Sequence, residues 1–144
     1  VFSSSKGDWR TPPELFARLD RQWGAFEVDA AATTENALCN VFFDTATNAL
    51  SESVDWGSYG RKIWLNPPYG RDIGQWVAKA YEQSKTRVRV VMLLPARTDT
   101  KWWHEYVKPY AFNVEFLRGR VRFSGSKTGA PFPSAIVVFD GLGR

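Results

Sequence analysis

The sequence predicts an α/β fold: one domain over residues 1–144, compact, with a mostly parallel, doubly wound sheet and an antiparallel C-terminal edge. Three observations carry this expectation. Helix-like and strand-like segments alternate through the first part of the chain. The run at 88–94 is almost continuously apolar, as in a strand buried on both faces. Strand-like runs then cluster at 112–117, 119–123 and 135–139, which suits hairpins.

The elements follow in order. Residues 1–9 are rich in Ser and Lys and read as a loose, flexible arm. Thr11-Pro12-Pro13-Glu14 has the pattern of a capping box, with proline tolerated in the first turn. Leu15, Leu19 and Trp23 recur every four residues, Phe16 joins them, and Gly24 ends the helix. Phe26-Glu27-Val28-Asp29 reads as a short strand ending at an acid. Residues 30–60 are polar and turn-rich, so loops and short helical turns are expected, with one short strand at Val41-Phe42-Phe43. Residues 62–65 read as a buried strand running into Asn66-Pro67-Pro68-Tyr69-Gly70. Asp72 with Gln75 opens a second helix that places Ile73, Trp76, Val77 and Ala80 on one face. A third helix is expected from Asp99, with Trp102, Trp103, Tyr106 and Val107 at helical spacing.

Composition narrows the function classes. Hydrophobic residues make up 44% and aromatic residues 15%, including 7 Trp, so a core is easily built and rings remain for stacking. A net charge of +4 leans weakly toward polyanions. With one Cys (Cys39) and one His (His104), neither an internal disulfide nor a Cys/His metal cluster can form, and no metal is expected. The expectation is a cytoplasmic protein with no membrane span.

Asn66-Pro67-Pro68-Tyr69 carries the chemistry. Ligands of open α/β sheets collect beyond the carboxyl ends of the strands, where this turn falls. Two prolines stiffen the turn and donate no hydrogen bonds. The Asn66 side-chain oxygen and the Pro67 carbonyl can then each accept one N–H of an exocyclic amine. Held so, a delocalised nitrogen can pyramidalise and aim its lone pair at an electrophilic methyl, with Tyr69 stacking on the base. A strong general base is not required. His104, between Trp103 and Glu105 on the expected third helix, reads as a surface residue. Cys39 has no preceding Pro, which disfavours methylation at a cytosine carbon through a Cys nucleophile.

Beyond that turn, further segments carry a resemblance. They are Asp8-Trp9-Arg10-Thr11-Pro12-Pro13-Glu14-Leu15-Phe16, Val28-Asp29-Ala30-Ala31-Ala32 and Glu35-Asn36-Ala37-Leu38-Cys39. Ile63-Trp64-Leu65-Asn66-Pro67-Pro68-Tyr69 and Leu93-Leu94-Pro95-Ala96-Arg97-Thr98-Asp99-Thr100 follow in the same order. Gly119-Arg120-Val121-Arg122-Phe123 and Ala130-Pro131-Phe132-Pro133-Ser134-Ala135 complete the set. Together they resemble the phage- and prophage-encoded DNA N-6-adenine methyltransferase family of Dam type, over nearly the whole chain.

The resemblance implies a Rossmann-like, S-adenosyl-L-methionine-dependent methyltransferase fold in a bacterial host cell, acting on double-stranded DNA as a monomer or homodimer. It implies catalysis at Asn66, Pro67, Pro68 and Tyr69 after the base leaves the stack. Asp29 matches the acid that holds the cofactor's amino-acid or ribose part, with Ala30 beside it, where the broader pattern has glycines. Thr11 and Pro12 match a segment lying against the methionine end, with Trp9 as a further ring. Asp55-Trp56 resembles the pair that binds the cofactor adenine, and Asp44 is a candidate for the ribose hydroxyls.

Arg118, Arg120 and Arg122 alternate along an expected strand and would share one face. With Lys127, Arg97 and Lys101 they are candidate phosphate contacts on DNA. Gly125-Ser126-Lys127-Thr128 only echoes a phosphate loop and lacks its spacing. The expectation is that these residues leave no room for a separate target-recognition domain, with specificity falling to loops 95–100 and 124–133 or to a second subunit. Two rival readings stand beside this one: an amino-methyltransferase for an RNA base or a protein glutamine, and a non-catalytic DNA-binding module.

Overall fold

The computed structural model describes residues 10–124, 126 and 128–143. Its frame is a six-stranded sheet in the order β2-β1-β3-β4-β6-β5. These are β1 (Val28–Asp29), β2 (Val41–Phe42), β3 (Lys62–Leu65), β4 (Arg89–Pro95), β5 (Asn113–Phe116) and β6 (Ser134–Asp140). β1 to β4 run parallel, and β6 inserts antiparallel between β4 and β5. This is the mixed α/β sheet with an antiparallel C-terminal edge that the segment pattern predicts. β4 explains its own composition. It is paired on both sides, covered on both faces and buried from Val90 to Pro95.

Helices cover the two faces. α1 (Pro13–Trp23) lays Leu15, Phe16, Leu19 and Trp23 against Trp64, Val91, Leu93, Ile136 and Val138. α2 (Ile73–Ser84) packs Ile73, Val77 and Ala80 on the opposite face with Ile63, Leu65, Val90 and Met92. Alternate β3 and β4 side chains thus supply two cores, as the period of a strand requires. A π-helical segment, Trp103–Val107, runs into α3 (Lys108–Tyr110) and adds Trp103 and Val107 to the second core. Among the described residues, no helix is long and apolar enough to cross a membrane.

Five expectations change. The capping box at Thr11 does not form: Pro12 is the N-cap of α1, and no side chain caps it. Thr11 lies one residue too early and its hydroxyl is engaged elsewhere. The Asp72 side chain likewise caps no α2 amide and instead accepts from the Gln75 side chain at 3.3 Å. The first strand is confined to Val28–Asp29.

The expected strand at 119–123 is absent; the Val121 carbonyl accepts from the Ala130 amide at 2.8 Å, and an isolated Arg10–Ser124 bridge follows directly after the segment. Gly119, with φ of 70°, turns the chain out of the extended region. Phe123 then packs inward against Tyr69 and Phe132. Arg118, Arg120 and Arg122 are therefore not alternate residues on one strand face, although all three are exposed. Asp99 lies in the turn ahead of the third helical segment.

Candidate functional site

Parallel pairing sets the site. Asp29 ends β1 opposite Trp64 of β3, so Asn66 follows two residues beyond that pair. Both side chains line one cavity of about 670 Å³ at the carboxyl ends of the strands. Its size is that of a small-molecule or cofactor pocket. The wall is completed by the loop at 31–38, by Phe43 and Asp44 after β2, by Trp76 of α2, and by Arg10, Thr11 and Ser124.

Asp29 is 3% exposed. Its carboxylate accepts from the Leu38 amide at 3.0 Å and the Ala31 amide at 3.4 Å, pinning the loop that forms the cavity wall. Burial pushes its pKa up to about 6, against the pull of those two backbone bonds. Asp44 behaves oppositely. Backbone and hydroxyl bonds from Thr47, at 3.0 and 3.1 Å, hold it below the usual carboxylate range. One cavity thus offers a firmly anionic acid and a second one that charges near pH 6.

The proline turn is anchored on both sides of its prolines. Asn66 donates from Nδ2 to the Thr11 hydroxyl at 3.1 Å, which turns its Oδ1 end away from Thr11. Pro67 is buried, while Pro68 is exposed in the cavity wall. The Tyr69 hydroxyl donates to the Leu93 carbonyl at 2.8 Å, and burial raises its pKa well above the ordinary phenol value. Phe123 and Phe132 meet its ring edge-on at 6.2 and 5.5 Å between centroids. Tyr69 is therefore braced from behind and is not part of the cavity wall.

Other candidates separate. Pro12 and Ala30 do not line the cavity; Ala30 is buried in the core, and its place in the wall is taken by Ala31 and Ala32. Asp55 and Trp56 do not line it either. Asp55 accepts from Gly57 and Ser58 as the cap of a short helical turn (Trp56–Ser58). Trp56 is fully buried and donates from Nε1 to the Ala49 carbonyl at 3.0 Å. The acid-plus-ring pair is thus a structural turn, and its stacking surface is spent on the core.

Arg97 lies over the Phe132 ring at 5.7 Å, and Lys101 pairs with Glu105 at 3.9 Å; both are exposed. Arg120 donates to the Ala130 carbonyl at 3.4 Å. His104 is exposed. Cys39 donates to the Phe26 carbonyl, and burial pushes its thiol up to about 12, so it offers no thiolate nucleophile. Trp9 and Lys127 lie outside the described residues. Among the described residues, no group of acids, His and Cys could hold a metal ion.

Several wall residues carry no motif of their own, among them Phe43, Asn48, Trp76 and Ser124. Trp76 has a signal: it lies in the first turn of the helix that follows the proline turn, where a side chain can face back toward the strand ends.

An acid ending one strand, a proline turn ending its neighbour and a cavity between them define a doubly wound α/β protein with its ligand site at the strand ends. The chain matches the family described as DNA N-6-adenine-methyltransferase (Dam) over residues 2–138, and it belongs to that family. A DNA N-6-adenine-methyltransferase of Haemophilus phage HP1 (strain HP1c1) is 30% identical over 144 residues, covering 95% of this chain and 80% of that protein. The DNA N-6-adenine-methyltransferase of Escherichia phage T1 is 42% identical over 98 residues, covering 67% of this chain. That stretch is only 39% of the T1 protein's length. A putative methyltransferase, YfdM, of Escherichia coli (strain K12) is 31% identical over 65 residues, covering 42% of this chain and 69% of that protein.

Proposed function

We propose that the chain transfers a methyl group from S-adenosyl-L-methionine to the N-6 amine of adenine in a short site of double-stranded DNA. The observation that carries this reading is that Asn66 and Pro68 share one cavity wall with Asp29 and Asp44. The residues suit the cofactor. Its ammonium and ribose hydroxyls call for acceptors, which the two carboxylates provide, and Phe43, Pro68 and Trp76 offer apolar surface for the rest.

When bound, the cofactor supplies an electrophilic methyl carbon on a sulfonium. The chain does the remainder by position. The target adenine leaves the stack and enters beside Asn66, a step that duplex enzymes acting on bases require. Asn66 Oδ1 and the Pro67 carbonyl accept hydrogen bonds from the two amine N–H groups and stabilise the positive charge growing on nitrogen, which is relieved when the methylated amine releases one proton to solvent. Pro68 bounds the pocket, and Tyr69, tied to Leu93, keeps the turn from yielding. The exposed Arg97, Lys101, Arg118, Arg120 and Arg122 supply phosphate contacts, which give affinity rather than sequence.

The test uses S-adenosyl-L-methionine with a labelled methyl group and unmethylated genomic DNA, with N-6-methyladenine measured by mass spectrometry. Asn66→Ala should lower turnover by a factor on the order of a hundred to a thousand while cofactor affinity stays near native. Native turnover in that variant refutes the assignment. RNA and protein acceptors run in parallel should remain unlabelled.

A further inference from the structure

We propose that Thr11 is a positioning residue that sets the Asn66 amide for transfer, a role that rests on the methyl-transfer reading above. Thr11 is 7% exposed, and its hydroxyl is not used to cap α1. It accepts instead from Asn66 Nδ2 at 3.1 Å, across 55 residues of sequence. A side-chain amide turns easily about its last torsion, and half a turn exchanges donor for acceptor. With Nδ2 committed to Thr11, the opposite end presents the oxygen that an incoming amine needs. Donation from Nδ2 also polarises the amide and raises electron density on Oδ1.

The hydroxyl is itself held in place. Pro12 follows at φ −61° and ψ 135°, and a residue before proline is confined to extended backbone. On the other side, the Ser124 amide donates to the Arg10 carbonyl at 2.9 Å. The Ser124 hydroxyl donates to the Thr11 carbonyl at 3.4 Å. Thr11 is thus clamped from both directions, and its hydroxyl is a fixed reference against which Asn66 is set.

Thr11→Val keeps the shape and removes the hydroxyl, whereas Thr11→Ser keeps the hydroxyl. Single-turnover methyl transfer to unmethylated genomic DNA should fall about 10- to 100-fold in Thr11→Val, the scale of a small misplacement of a reacting group. Its dissociation constant for S-adenosyl-L-methionine, by calorimetry, should stay within about twofold of native, as expected if the loss is in geometry rather than in binding. Thr11→Ser should transfer within about threefold of the native rate, since one hydrogen-bonding hydroxyl replaces another. The proposal is overturned by a native rate in Thr11→Val, by equal losses in the two variants, or by lost cofactor binding in Thr11→Val. If native protein makes N-6-methyladenine and Thr11→Val matches it, only the role of Thr11 fails. Native protein that makes none sinks the methyl-transfer reading and this role with it.

Discussion

Replacing Asp29 by asparagine should make the ligand-free protein more stable. The wild-type carboxyl has its pKa raised from 3.8 to about 6, with burial as the main cause. Between those pH values the folded chain holds a proton that the unfolded chain has lost, so rising pH costs stability. At pH 8 that cost approaches about 3 kcal/mol, at 1.36 kcal/mol per pKa unit. The substituted amide carries no charge and still offers an oxygen to the Leu38 amide, but it gives up the longer contact to Ala31. That loss is worth about 1 kcal/mol. Asp29→Asn should therefore gain about 2 kcal/mol at pH 8, or about 6 °C in Tm. The gain should shrink by about 1.4 kcal/mol at pH 5, where much of the wild-type cost has been relieved by protonation. Urea unfolding at both pH values, without cofactor, measures this. A variant less stable than wild type at pH 8, or a difference that ignores pH, would refute the reasoning.

Other perturbations follow from the same geometry. Tyr69→Phe deletes the hydroxyl bound to Leu93 at 2.8 Å and should cost about 1 kcal/mol in urea unfolding; unchanged stability would count against a braced turn. With its thiol near 12, Cys39 should react with iodoacetamide at pH 8 slower than an ordinary cysteine, by a factor on the order of a thousand. Ordinary labelling would contradict that burial. Arg118→Ala should weaken DNA binding and reduce the salt slope of affinity by about one; an unaltered slope removes Arg118 from the phosphate contacts.

Much of the fold is legible where burial dictates residue type. The strand expected at 62–65 has the bounds observed for β3, because a run enclosed on both faces has few polar choices. Val88 to Leu94 shifts by one residue at each end to Arg89–Pro95, since hydrogen bonds rather than hydropathy set a strand's limits. The failures have tertiary causes. Residues 119–123 look like a strand because Val121 and Phe123 alternate with arginines, yet Gly119 takes a left-handed turn and the segment joins none of the six strands, its Val121 carbonyl meeting the Ala130 amide instead.

The candidate site divides in the same way. Asn66, Asp29 and Asp44 can be read from the sequence because strand ends are where polar side chains survive beside a core. Asp55-Trp56 misleads because an acid before an aromatic is also how a short turn caps itself and fills a core. Thr11 stands out in the sequence for the wrong reason. Its pattern with Glu14 points to local capping, and only the folded chain brings Asn66 to its hydroxyl.

The Arg10–Ser124 bridge joins segments that lie far apart along the chain. A growing polypeptide that has delivered Asn66, Asp29 and Asp44 still lacks this clasp until Ser124 has emerged from the ribosome. The pocket therefore closes only once that serine has been made, and a product cut short before it would carry the whole proline turn without the brace behind Thr11.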